Sequence, residues 1–271
     1  MNYLKTAKEH YNQLLYSFYT YPQAIRFIIK HKIWDGFWKY SWVGKLLLLG
    51  AILMGLKFIG SLSEWFRQAD VTDPLAAMSS VSNLMVNVVT DEVEFLTQGS
   101  MRYLMIILLE VVIFHVCRRS LTILAGKDSD STMGAFIKAQ IRMIKVVFFC
   151  YLMEMLVGVG LKTFFGIFGF LDFAKPILLF ISSIFFMGFA VMDNYLEQFE
   201  LTIKESFKYS QNYVGIALGT GLALHVFFLV PVVGPVIAPF LSAVTVTLAM
   251  FELSDIHLME KEMALQLEEI V

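Results

Sequence analysis

Charge is scarce in this chain. Of its 271 residues 16% are charged and 58% are hydrophobic, where a soluble domain carries about 25% charged residues. Mean hydropathy is +0.68. So little charge cannot cover a water-exposed surface, and the composition points to an integral membrane protein. The net charge of −2 says little, because the charges are segregated along the chain. Cysteine is almost absent: Cys117 and Cys150 both lie in apolar segments, which leaves no disulfide framework and no metal-ligand spacing. A hydrolase elbow, a P-loop, a zinc signature and a dinucleotide fingerprint are all missing. The reading is of a protein that is not an enzyme, with no cofactor, no bound metal and no nucleic-acid partner. The first apolar run begins only near Lys45, so no cleavable signal peptide is expected and the first span would itself direct insertion.

What the chain does have is long apolar runs. From Tyr213 to Phe251 there is no Lys, Arg, Asp or Glu, and Pro231, Gly234, Pro235 and Pro239 interrupt the middle. One spanning helix needs about 20 apolar residues, and proline breaks an interior turn. Two apolar helices are predicted, at 213–229 and 237–251, joined by a Pro/Gly bend. Either the bend stays within the bilayer as a re-entrant hairpin, its backbone satisfied by protein or water, or two full spans meet in a short outer loop.

Upstream, four spans are predicted at 45–62, 101–117, 143–161 and 176–192. Residues 23–40 read as an interfacial helix: Ile25, Ile29, Ile33 and Phe37 form a stripe, Arg26, Lys30 and Lys32 lie off it, and Trp34 and Trp38 anchor it. The expected fold is an all-α integral membrane domain over 1–271. It has about four spanning helices, the bent C-terminal hairpin and the N-terminal interfacial helix. Positive loops stay cytoplasmic. Seven Lys/Arg lie in the first 45 residues, only Arg67 in 63–100, and six in 118–145. This makes 1–44 a cytoplasmic interfacial segment, 63–100 extracytoplasmic, 118–142 and 193–212 cytoplasmic, 162–175 external, and 252–271 an acidic cytoplasmic tail. The protein is expected in the cell's inner (plasma) membrane, multi-pass, with both termini cytoplasmic and with lipids as partners.

Glu110, His115 and Glu154 are intramembrane ionisable candidates for function. Glu110 and Glu154 sit mid-span, where a carboxylate is costly. Each either serves function or, neutral or paired with a neighbour such as His115 or Lys162, locks packing. His225 is a lone histidine on an apolar face. At the membrane edge Arg26, Lys30, His31 and Lys32 cluster, a pattern that suits either an anion or lipid headgroups.

The runs Met192-Asp193-Asn194-Tyr195-Leu196-Glu197 and Leu201-Thr202-Ile203-Lys204-Glu205-Ser206, followed by Tyr213 to Thr247 with Gly219, Gly221 and Pro231, resemble the C-terminal half of the CysZ-type sulfate permeases and the related etoposide-induced-protein membrane family. Ala24-Ile25-Arg26 falls where those permeases carry a sulfate-contacting Gly-Leu-Arg motif, with Ala24 in place of the glycine and His31 where a proline is usual. The resemblance implies full spans mixed with half-inserted hairpins, self-assembly into a homo-oligomer, and a small inorganic, sulfate-like anion as the transported partner. Ala24, Ile25, Arg26 and Lys30 would then bind the anion, through the Arg26 charge and the backbone N–H groups of 24–26. A non-transporting membrane scaffold is the alternative. A membrane enzyme built on Glu110, Glu154 and His115 lacks an accompanying nucleophile.

Overall fold

The computed structural model describes residues 3–34, 99–126, 133–167, 173–228 and 234–258, and among them every regular element is a helix. The expected first span at 45–62, nearly all of 63–100, and the tail beyond residue 258 lie outside the described residues. In chain order the helices are α1 (Tyr3–His31), α2 (Gly99–Ala125), α3 (Met133–Ile167), α4 (Lys175–Glu197), α5 (Ile203–Ser210), α6 (Val214–Phe228) and α7 (Gly234–Leu253), with a 3₁₀ turn at Gln211–Tyr213 before α6. Within α3 and α4, Ile137–Ile167 and Lys175–Glu197 are long and apolar enough to cross a membrane.

Residues 229–233 of the expected Pro/Gly bend lie outside the described residues; α6 ends at Phe228 before them and α7 begins at Gly234 after them. Helix α7 starts three residues earlier than the predicted 237. Pro235 falls in its first turn, where the missing N–H would have no helical partner. Helix α3 starts ten residues before the predicted span. Lys138 and Arg142 look like a loop on hydropathy, but both are good helix formers and extend the helix. Gly126 ends α2 at φ +67, with its N–H donating to Thr122 O at 2.9 Å, the left-handed cap that glycine adopts without strain.

Side-chain contacts set the helix directions. Helices α3 and α4 run antiparallel: Arg142 meets Asp193 at one end, the Phe149 and Phe189 rings lie 6.3 Å apart in the middle, and Gly158 faces Leu179 further on. Helix α6 is antiparallel to α4, because Gly188 lies against Ala217 and Gly221 against Ile184. Helix α1 is parallel to α6. Gly215 meets His10 and Leu14, Gly219 meets Ser17, and the Tyr21 and Phe227 rings are 5.8 Å apart. Tyr213 Oη donates to Leu253 O at 3.4 Å, so α7 returns antiparallel to α6.

Residues 23–31 of the predicted 23–40 helix are therefore the last third of a longer one, and 35–40 lie outside the described residues. Its buried face is Ser17, Tyr21, Ala24 and Ile28, at spacings of four, three and four, with Thr20 buried beside Tyr21. Between Glu9 and Arg26 it carries no Lys, Arg, Asp or Glu, and it lies along the apolar α6. Arg26 and Lys30 accordingly stand at the opposite end of the bundle from His10 and Gln13. Residues 3–31 thus run along α6 rather than gathering at one end, and residues 35–44 lie outside the described residues.

Helix α6 is gripped on two faces. Gly215 and Gly219 face α1, and Ala217 and Gly221 face α4. A Cβ added at Gly188 or Gly221 would run into the carbonyl of Ala217 or Ile184, whereas one at Gly160 meets nothing within 4 Å. Over-packing of this kind costs about 1–3 kcal/mol, and a lone helical Gly→Ala gains roughly 0.5–1 kcal/mol. Gly188→Ala and Gly221→Ala should each lower the thermal unfolding midpoint of the detergent-purified chain, and Gly160→Ala should hold or raise it. Equal midpoints for all three would show that the helices do not approach this closely.

Candidate functional site

The sequence-predicted anion residues do not share one surface. Ala24 is fully buried, Ile25 is 47% exposed, and Arg26 and Lys30 are exposed one turn apart. Residues 24–26 lie deep inside α1, so their N–H groups are committed to the helical ladder. The backbone donors expected at an anion site would have been available only at a helix N-terminus. Arg26 and Lys30 thus remain as two outward cations, with Tyr19 and Ile29 exposed on the same side of the helix. Glu110 lies on α2, and its side chain falls outside the described residues. His115 on α2 and Glu154 on α3 are both half-buried, on helices that pack together.

The most elaborate polar constellation lies elsewhere, at the end of the bundle where α3, α4 and α5 meet. Arg142 projects from α3. Its Nε donates to Asp193 Oδ2 at 3.0 Å and its Nη2 to Oδ1 at 2.8 Å, a two-pronged pairing that suits the planar guanidinium. Nη2 also donates to Ser206 Oγ at 3.0 Å, and Nη1 donates to the Leu201 carbonyl. Glu197 Oε2 stands 3.7 Å from Nε. Asp193 is 2% exposed.

The local chain path explains the convergence. Asp193 and Glu197 are one turn apart on α4 and so share a face. The chain leaves α4 through Glu200, which is left-handed at φ 58, and restarts at Thr202. There a capping box opens α5: Thr202 N donates to Glu205 Oε2 at 2.8 Å, and Glu205 N to Thr202 Oγ1 at 3.3 Å. These bonds, the Thr202 hydroxyl foremost, hold the Glu205 carboxyl below the usual range. Arg142 binds the chain on both sides of this turn. On its other side, Tyr209 Oη donates to Asp255 Oδ1 at 2.8 Å. Burial first, then its hydrogen bonds to Tyr213 and Asp255, push the Tyr209 phenol up, so it is a proton donor throughout the neutral range. Gln13 Nε2 donates to Asn212 O at 2.8 Å, and Gly215 N donates to Gln13 Oε1 at 3.2 Å, which ties α1 to the same end.

Beside Arg142 lies an open groove of about 980 Å³, walled by Lys138, Lys145 and Lys204 with Glu197, Glu200 and the apolar Ile137 and Ile141. The sequence runs that carry the resemblance contain Asp193, Glu197, Leu201 and Ser206, but on sequence alone they take no site role. The available signal was topological: Arg142 opens one predicted span and Asp193 closes another, on the same predicted side. Against family models, characterised proteins and solved structures, the chain matches none.

Removing one partner of a largely buried ion pair strands the other. Arg142→Ala should therefore destabilise the fold by about 3–5 kcal/mol, and Arg142→Lys by less. The pair Arg142→Met with Asp193→Leu should recover much of the loss. Thermal or denaturant unfolding of the four proteins checks this, and additive losses in the double variant would contradict it. For the Thr202–Glu205 box the folded carboxyl titrates below its unfolded range. Its stabilisation is therefore present above the unfolded pKa and is lost as pH falls through the folded one. Glu205→Gln should flatten that acid-side slope.

Proposed function

We propose that this chain is a multi-pass integral membrane protein that passes small oxyanions, as a channel or facilitator of the sulfate-permease type its sequence resembles. One observation carries the membrane reading. The outward surface of α3 and α4 is a continuous apolar field, including Ile144, Phe148, Met155, Val159, Ile177, Phe180 and Ile181, with Phe148 66% exposed. Val146 to Leu161 holds a single charge, Glu154, between Lys145 and Lys162. At the helical rise this run covers about 24 Å, comparable to a hydrocarbon core of about 30 Å. An apolar surface of this extent fits lipid or a partner, not water.

The start of α1, residues 193–212 and the end of α7 share one end of the bundle, which on this reading is the cytoplasmic one, and Lys162 lies at the other. On this reading the anion meets exposed cations at each end: Lys138, Lys145 and Lys204 on one, Arg26 and Lys30 on the other. Phe189, Met187, Leu196, Ile216, Val244 and Met250 are wholly buried between the described helices. The path therefore runs between copies in a homo-oligomer rather than through the centre of these helices. The same dense filling favours the second reading, a membrane scaffold that moves no solute.

Flux of sulfate, sulfite and phosphate into proteoliposomes separates the two. The permease reading expects saturable uptake of at least one oxyanion. Arg26→Ala should weaken anion binding by about 1.5–3 kcal/mol, the range for a hydrogen bond to a charged group. Arg26→Lys should restore part of it, since the charge returns without the fork. Absence of flux for all three anions, or equal affinities in the three proteins, would leave the scaffold.

A further inference from the structure

Helix α3 carries three stripes ahead of its apolar run. Ala139, Met143, Val146 and Cys150 are buried; Ile137, Ile141, Ile144 and Phe148 are exposed and apolar; Lys138, Arg142 and Lys145 form the third, at spacings of four and three. The cationic stripe faces the groove, and Lys204 reaches it from the first turn of α5. Arg142 is already held by Asp193, Ser206 and the Leu201 carbonyl, and Glu197 stands beside it. One guanidinium offsets one carboxylate, so the three exposed lysines face two wall carboxylates, Glu197 and Glu200, which leaves an excess of one positive charge. None of the three is ion-paired among the described residues.

We infer that this groove seats the phosphate headgroup of an anionic phospholipid, with Lys138, Lys145 and Lys204 around it and the acyl chains lying along Ile141, Ile144 and Phe148. The inference rests on the membrane reading above and adds a ligand to it. Three features meet here. The charge is of the sign that attracts anionic headgroups. A groove of about 980 Å³ has room for one. The exposed apolar stripe runs directly from the groove into the segment read as spanning. A free phosphate would use the lysines but not the stripe, which is why the lipid is favoured. Arg142 acts as a positioning residue, fixing the α4–α5 turn that forms the opposite wall and carries Lys204.

Native mass spectrometry of the full chain in detergent tests the inference, with phosphatidylglycerol, phosphatidylcholine and inorganic phosphate as probes. Phosphatidylglycerol should bind at least tenfold more tightly than phosphatidylcholine. The variant Lys138→Gln, Lys145→Gln, Lys204→Gln should lose that preference while keeping its lipid-free melting midpoint, and Lys162→Gln at the far end should keep the preference. A preference that survives in the triple variant, or equal binding of the two lipids by the parent, overturns the site. So does displacement of phosphatidylglycerol by inorganic phosphate at matching concentrations. Alkaline carbonate washing of membranes reads the underlying assumption separately. Parent and triple variant should both stay in the pellet, and release of the parent removes the membrane reading and the lipid site together.

Discussion

The close approach of α6 to its neighbours is the contact on which the rest depends. In a bilayer the hydrophobic effect does not drive helices together, because lipid is as apolar as the side chains, and small residues that let backbones meet take its place. The order Gly215, Ala217, Gly219, Gly221 puts a smooth face toward α1 and another toward α4. Were α6 held away by side chains on either face, α4 would lose its support and Asp193 its position against Arg142. Helix α1 would also lose the alignment that carries Arg26 to the far end. Both sets of cations owe their placement to a helix that bears no charge of its own.

The second constraint is electrostatic. Asp193 is nearly inaccessible to water, so it is tolerable only with a partner. Arg142 supplies one, and spends its remaining donors on the Leu201 carbonyl and the Ser206 hydroxyl. The guanidinium thereby clamps the reversal between α4 and α5, the point at which the chain leaves the apolar field and turns back into it. Lysine could match the charge but not the fork that reaches three elements at once. The pair is better understood as fixing geometry than as adding stability, since burying both charges carries a large desolvation cost.

Much of the fold was legible because hydropathy and proline are strong signals. The long apolar helix α4 and the presence of two separate apolar helices, α6 and α7, follow from residues read singly. What escaped depends on helical phase and on distant pairs. The stripe Ile25, Ile29, Ile33 looked like one face, yet Lys32 turns left-handed at φ 46 and Ile33 N donates back to Ile28 O at 3.2 Å. Ile33 is thereby buried while Ile25 and Ile29 point outward. Ala24 and Arg26, neighbours in a motif, lie on opposite sides of α1. Arg142 and Asp193 are 51 positions apart, and only the antiparallel packing of α3 on α4 brings them together.

In the proposed arrangement α3 and α4 cross a bilayer with the Arg142 end on one side and the Lys162 end on the other. Single cysteines at Lys204 and at Lys162, in a chain whose Cys117 and Cys150 are replaced by alanine, measure this directly. An impermeant maleimide should reach the two positions from opposite sides of sealed, oriented vesicles, with Lys204→Cys reacting from the cytoplasmic side. Labelling of both from the same side would contradict it.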